Sequence, residues 1–269
     1  MKKIIGLVLA LLLSVSTVAG LSGCSKKQVV TVSGSSSVSP LMKDLAAAFE
    51  EKNKNISIIV TTSDSTTGVT DTLGGKNDFG MASRDLKSNE EGVKATKICD
   101  DGVVIIVNKS VDLDSVTGEQ IYELYANGTA IGSVTKAITR EEGSGTRDAF
   151  DGLIKNANSE KLADLAAFSS AVGVQNSTGY VMTEVVSSAN TLGYISLGSL
   201  DDTVKAVKFN GVEASAANIK NGSYSLSRPF NVITKEGTAL SEAAQKFFDF
   251  ATSAEANDLI SKAGAVPVK

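Results

Sequence analysis

Hydrophobic positions along the chain follow two alternating periods. An apolar run from Ile4 to Val18 comes first, behind the basic pair Lys2-Lys3. From Gln28 onward, short β-branched runs alternate with segments of helical spacing. Strands are predicted at Gln28–Val32, Ile56–Thr61, Asp78–Met81, Val103–Val107, Lys136–Thr139, Thr191–Ser196, Val204–Phe209 and Pro229–Thr234. Between them, Pro40–Lys52 carries Leu41, Leu45, Ala48 and Phe49 on one helical face. Further helices are expected at Val69–Leu73, Gly118–Ala126, Thr146–Lys155, Ser177–Ala189, Ser241–Phe250 and Ala254–Ala263. The unbroken apolar run Val103–Val107 reads as a strand buried on both faces. Strands and helices in alternation predict an α/β fold with mainly parallel sheets.

The first apolar run is too short to span a bilayer comfortably, and its basic flank is that of an export signal. It ends at Leu21-Ser22-Gly23-Cys24, which resembles the lipobox of bacterial lipoproteins. Small residues there give a peptidase access to the bond before Cys24, and the thiol accepts a diacylglyceryl group. Residues 1–23 would then be a removed signal, and residues 24–28 a short tether from a lipidated Cys24. A plain secretory signal with a chance cysteine is the alternative.

Composition narrows the chemistry. Among 269 residues there is no His and no Trp, and there are two Cys. No Ser-His-Asp triad, Cys-His pair or His-liganded zinc can be built. No acidic cluster suggests calcium or magnesium, so neither metal nor cofactor is expected. A net charge of −4, becoming −6 once Lys2 and Lys3 are removed, argues against nucleic acid as a partner. Cys99, left alone in an exported chain, is expected near a strand end as a small buried hydrophobe.

Three turns share one design. They are Ser33-Gly34-Ser35-Ser36-Ser37-Val38-Ser39-Pro40, Ser63-Asp64-Ser65-Thr66-Thr67-Gly68 and Arg140-Glu141-Glu142-Gly143-Ser144-Gly145-Thr146-Arg147. Each follows a strand and opens a helix, so free backbone N–H groups and the positive helix end point at one spot. Such a turn can bind an anion. Taken singly, each could be an ordinary capped helix, with the serines before Pro40 as N-caps. Three in one chain, the third flanked by arginines, point to an oxyanion site. Asn176-Ser177-Thr178-Gly179 reads as a helix cap, and Glu141-Glu142 as solvated surface. No turn has the spacing of a nucleotide P-loop.

The stretch Arg140–Phe150 closely resembles the R-[ED]-[ED]-G-S-G-T-R-D-A-F signature of phosphate-binding lipoproteins of the high-affinity phosphate ABC transporter. Further landmarks follow in order at Ser33–Pro40, Asp78–Leu86, Asp101–Asn108, Leu192–Gly198, Ser223–Pro229 and Gly264–Val268. The resemblance implies a two-lobed periplasmic-binding-protein fold of type II, with the ligand between lobes joined by two hinge crossings. Lobe one would be 29–105 plus 231–269 and lobe two 106–230, with crossings near Val104–Asn108 and Arg228–Ile233. It also implies an extracytoplasmic, lipid-anchored monomer that captures inorganic phosphate and hands it to ABC permease subunits, without enzymatic activity.

By the same resemblance, Ser36, Ser37 and Ser65 donate to phosphate from lobe one. Arg140 is the charged clamp, and Ser144, Gly145 and Thr146 donate from a helix start. The stretch Ser83-Arg84-Asp85 departs from relatives that place a proton-accepting Asp there. Arg84, Asp85 and Asp64 all remain open as the group facing the anion. Two other functions stay in view: a binder or sensor of another oxyanion, and a secreted serine-based phosphoryl or acyl hydrolase.

Overall fold

The computed structural model of the protein describes residues 27–268. The expected export signal and Cys24 lie outside the described residues. The chain opens with β1 (Gln28–Ser35), α1 (Ser39–Lys52), β2 (Ile56–Ser63), α2 (Ser65–Leu73) and β3 (Phe79–Ala82). The long β4 (Val93–Val107) leads into a second unit. That unit holds β5 (Ser115–Val116), α3 (Gly118–Asn127), β6 (Lys136–Arg140), α4 (Gly145–Leu153) and β7 (Val172–Gln175). It continues with α5 (Thr178–Ser187), β8 (Thr191–Ser196), β9 (Lys205–Phe209) and α6 (Ala216–Lys220). The chain returns along β10 (Ser227–Lys235) and closes with α7 (Glu242–Ala251), α8 (Asn257–Lys262) and β11 (Val266–Pro267). A 3₁₀ turn at Ala254–Ala256 precedes α8 where one continuous helix was expected. Among the described residues no helix is long and apolar enough to cross a membrane.

Two sheets result, each in its own lobe. In the first, β1 pairs in parallel with β2 and β3, and β10 runs antiparallel to β3 and β4. In the second, β6 pairs in parallel with β7 and β8, and β4 runs antiparallel to β8 and β9. The sheets are therefore mixed rather than mainly parallel. The outgoing β4 and the returning β10 lie side by side in opposite directions, which forces antiparallel pairs into both lobes.

The crossing falls earlier than the sequence suggests. Strand β4 pairs with β10 as far as Gly102, opposite Ser227, and with β8 from Val103, opposite Ser196. The Val103 N–H donates to the Leu226 carbonyl at 2.7 Å, closing the second crossing. Residues 28–102 and 227–268 thus form lobe one, and 103–226 lobe two. The apolar run Val103–Val107 is fully buried because it is a central strand of lobe two, not a linker. Its odd positions enter one core with Tyr125, Phe150 and Tyr194, and Val104 and Ile106 enter another with Val181 and Val185.

At the crossing, Asp101 and Arg228 are both buried and paired, Nη2 to Oδ2, at 3.1 Å. Asp101 also accepts from Ser196 Oγ at 2.8 Å. Burial pushes the Asp101 carboxyl up against the pull of Arg228, and pulls the Arg228 guanidinium down.

Lobe one packs α1, α7 and α8 over the sheet through Leu45, Phe49, Phe79 and Phe247. Cys99 sits inside β4 rather than near its end, fully buried in this core, and burial pushes its thiol up. Helix α2 lies on the sheet at backbone contact. A Cβ on Gly68 would sit 2.7 Å from the Met81 carbonyl oxygen and 2.9 Å from the Gly34 Cα. Gly34 itself has φ +138°, a conformation open to glycine. This approach sets where the first residue of α2, Ser65, enters the cleft. Gly68→Ala should cost about 1–3 kcal/mol from overpacking, read as a lower Tm in thermal melts. An unchanged Tm would show that α2 can lift off the sheet freely.

Candidate functional site

Five strand ends meet between the lobes. Ser36 and Ser37 follow β1, Ser65 begins α2 after β2, and Ser83 follows β3. From lobe two come Arg140 at the end of β6, the α4 start Ser144-Gly145-Thr146, and Thr178 after β7. All of these side chains are buried. Each stands at the carboxyl end of a parallel strand, and at all but Ser83 a following helix presents its N-terminus.

The lobes touch through hydroxyls. Ser37 Oγ lies 2.8 Å from Thr146 Oγ1 and 3.2 Å from Thr178 Oγ1. Ser36 Oγ accepts from the Arg140 Nη2 at 3.0 Å and from the Thr178 N–H at 3.4 Å. On the adjoining side, Ser83 Oγ accepts from Ser35 Oγ at 2.9 Å, and the Ser83 N–H donates to Ser65 Oγ at 3.0 Å. Gly145 packs directly on this second group, since a Cβ there would strike Ser65 Oγ and sit 2.8 Å from Ser83 Oγ.

Helix capping explains why these hydroxyls are free to converge. The serines expected to cap α1 do not cap it. Its N-cap is Val38, without a side-chain cap, and Ser36 and Ser37 reach across the cleft instead. The helices α2, α4 and α5 are capped by Asp64, Ser144 and Ser177. Asp64 accepts from the Thr67 N–H at 2.8 Å, Ser144 from the Arg147 N–H at 3.3 Å, and Ser177 from the Tyr180 N–H at 3.2 Å. Asp64 is thereby engaged as a cap, and the Ser144 side chain likewise.

Arg140 is 1% exposed. Glu141 meets it with both oxygens at 2.7 Å, one to Nε and one to Nη2. Glu141 is therefore a counter-ion and not solvated surface; the guanidinium folds back onto its own neighbour because a buried charge needs a partner. Its backbone is fixed too. The Arg140 N–H donates to Tyr194 Oη at 3.2 Å, and its carbonyl accepts from Arg147 Nη1 at 3.2 Å. Tyr194 is stacked on Phe150 at 3.9 Å, and burial raises its hydroxyl pKa far above the ordinary range. The Nη groups remain aimed at Ser36 and Thr178. Thr178 was read from sequence as part of a cap; one residue past the true cap, it is a full member of the cluster.

Of the three groups left open by the sequence, none has a side chain in the cluster. Asp85 is exposed. The Arg84 stem packs on Gly145, but its head turns away to Glu90 and Asp148. Asp64, Thr66, Lys87, Arg147, Asp148 and Asp151 instead line a neighbouring groove of about 650 Å³ between the lobes.

The chain matches the PBP superfamily domain over residues 22–255. The chain belongs to the PBP superfamily. Among PBP relatives, a Clostridium perfringens protein solved with bound phosphate, described as a phosphate ABC transporter substrate-binding protein, is 34% identical at TM-score 0.82. The match covers 90% of this chain and all of that one. A Vibrio cholerae ABC-type phosphate transport receptor is 28% identical at TM-score 0.69, covering 89% of this chain and all of that one. Phosphate-binding protein PstS 2 of Streptococcus agalactiae is 42% identical over 135 residues, 49% of this chain and 45% of that protein. This chain is thus a PBP of the Pst type, with a two-lobed α/β fold.

One acid beside the PBP cleft titrates unusually. Burial raises Asp151 from 3.8 to about 6, with Asp148 adding to the rise and Arg147 opposing it. A folded state that holds this proton more tightly than the unfolded chain loses stability as pH rises between about 4 and 6. Asp151→Asn should therefore raise the Tm at pH 7, by on the order of 1 kcal/mol in stability, with little change below pH 4. A lower Tm at pH 7 would mean that the Arg147 pair outweighs burial.

Proposed function

We propose that the protein captures inorganic phosphate outside the cytoplasm and delivers it to an ABC permease, without breaking a bond. The observation that carries this reading is the buried Arg140 facing Ser36, Ser37, Thr146 and Thr178 from both lobes. A tetrahedral oxyanion needs donors from several directions. Hydroxyls, the N–H groups of helix starts and a guanidinium fork supply them, and charge-assisted bonds to oxyanions are short and strong. Ser65, Gly145, Ser144 and Ser83 would complete the wall through backbone N–H and hydroxyl groups. Arg84 and Asp85 are left out of the proposed binding set.

Hydrolysis fits poorly. The sequence has no His to serve as general base. The Glu141 carboxylate beside the cluster is committed to Arg140. Relatives named for phosphate favour it over other oxyanions. Titration calorimetry should show one phosphate per chain at micromolar affinity or tighter, about −8 kcal/mol or better. Arg140→Ala should weaken it by roughly 2–5 kcal/mol, because the anion then loses its charged partner and faces an unpaired Glu141 carboxylate. Heat with sulfate or molybdate but none with phosphate would reassign the ligand.

The reading includes a lipid anchor at Cys24 and a monomeric receptor held close to the membrane by a short tether. The support is the Leu21-Ser22-Gly23-Cys24 string behind an apolar signal. Cys24→Ser should shift the protein from the membrane fraction to the soluble fraction of expressing cells. Retention in the membrane would count against the anchor.

A further inference from the structure

The four Nη donors of Arg84 are all taken within the protein. Its Nη1 donates to the Asp85 carbonyl at 2.9 Å and to Glu90 Oε2 at 2.8 Å. Its Nη2 donates to Thr66 Oγ1 at 3.0 Å and to Glu90 Oε1 at 2.6 Å. Its Nε lies 2.9 Å from Asp148 Oδ2. A guanidinium carries five N–H groups; the four on the Nη atoms are hydrogen-bonded to these partners, and Nε meets Asp148 as an ion pair without a hydrogen bond. Arg84 and Glu90 belong to lobe one, whereas Asp148 lies on α4 in lobe two. Lys87, also of lobe one, places its Nζ 2.8 Å from the same Asp148 oxygen.

Taking the cleft as the phosphate site proposed above, we infer that Arg84 is a positioning residue that ties α4 to lobe one through Asp148, and not an anion ligand. Asp148 stands one turn into the helix whose start carries Gly145 and Thr146. Fixing it fixes those donors against Ser37, Ser65 and Ser83. Glu90 holds the strut at its other end. Burial alone would raise the Glu90 carboxyl, but Arg84 and the Lys87 N–H and charge hold it below the usual range. A neutral contact lies beside the strut, with the Thr66 N–H donating to the Gly143 carbonyl at 3.1 Å. That contact uses backbone groups on both sides, so substitutions at Asp148 leave it in place.

The pair forms only when the lobes meet, so its loss is felt on opening and release, not on encounter. Asp148 is 32% exposed along its side chain, so salt should weaken the strut. If Arg84 were instead a ligand, removing Asp148 would free its guanidinium for the anion and tighten binding. The two roles therefore predict opposite signs for Asp148→Asn.

The test is release of radiolabelled inorganic phosphate from the full-length protein, chased with unlabelled phosphate at low and high ionic strength. Asp148→Asn should release about five- to tenfold faster, with association changed less than about twofold and with less acceleration by salt than the wild type. Lys87→Gln, at a more exposed position, should move release in the same direction by about twofold. Slower release from Asp148→Asn, or release unchanged in both variants, would overturn the strut while leaving phosphate binding intact. A wild-type protein that retains no phosphate would overturn the phosphate reading and the strut with it.

Discussion

A permanent positive charge buried between two lobes sets the terms for the rest of the cleft. Arg140 carries a guanidinium, and sealing it from water demands compensation on the spot. Glu141 supplies the countercharge, and Tyr194 and Arg147 hold the backbone on either side. Neutralised in this way, the guanidinium offers direction more than net charge. That suits a chain whose overall charge is −4. An anion can be drawn in by local donors even though the global field repels it.

The topology explains how so many donors reach one place. In each lobe three strands run parallel, β1 with β2 and β3, and β6 with β7 and β8. In α/β sheets the loops at the carboxyl ends of parallel strands carry the ligand. Here two such sheets face each other, so the ends of β1, β2 and β3 oppose those of β6 and β7. The antiparallel strands β4 and β10 serve connection instead, each contributing to the junction where the chain changes lobes. Glycines then set the spacing. Gly68 lets α2 settle on the sheet, and Gly145 lets α4 settle on Ser65 and Ser83. A side chain at either position would hold the two walls apart.

What could be read in advance was local. The turns at Ser33–Pro40, Ser63–Gly68 and Arg140–Arg147 announce themselves because cap residues, glycine and strand-to-helix order are short-range features. What could not be read depends on distant partners. Arg84 faces away from the cluster because Glu90, Thr66 and the Asp85 carbonyl take its Nη donors and Asp148 pairs with its charge. Thr178 joins the cluster because Ser177 takes over the capping. Glu141 was expected to point into water because adjacent turn residues diverge, yet the Arg140 side chain doubles back to meet it. Mixed sheets escaped notice for a related reason. An apolar run such as Val103–Val107 reports burial on both faces but not the direction of its neighbours. The half-exposed β7, Val172–Gln175, gave no alternation to detect.

The groups that surround the cleft fall into two sets with different sensitivities. The inner set is hydroxyls, backbone N–H groups and an arginine already paired with its own carboxylate. Hydroxyls do not titrate near neutral pH, so the inner set keeps its donors over a wide range. The outer set, Arg84, Lys87, Glu90, Asp148 and Asp151, is ionic and reached by water at Lys87 and Asp148. Salt therefore acts on how the lobes are held together more than on how an anion is recognised. The proposed transport role requires that the ligand be gripped and still given up unchanged. Separating the residues that hold the lobes from those that hold the anion lets opening be tuned without loosening recognition.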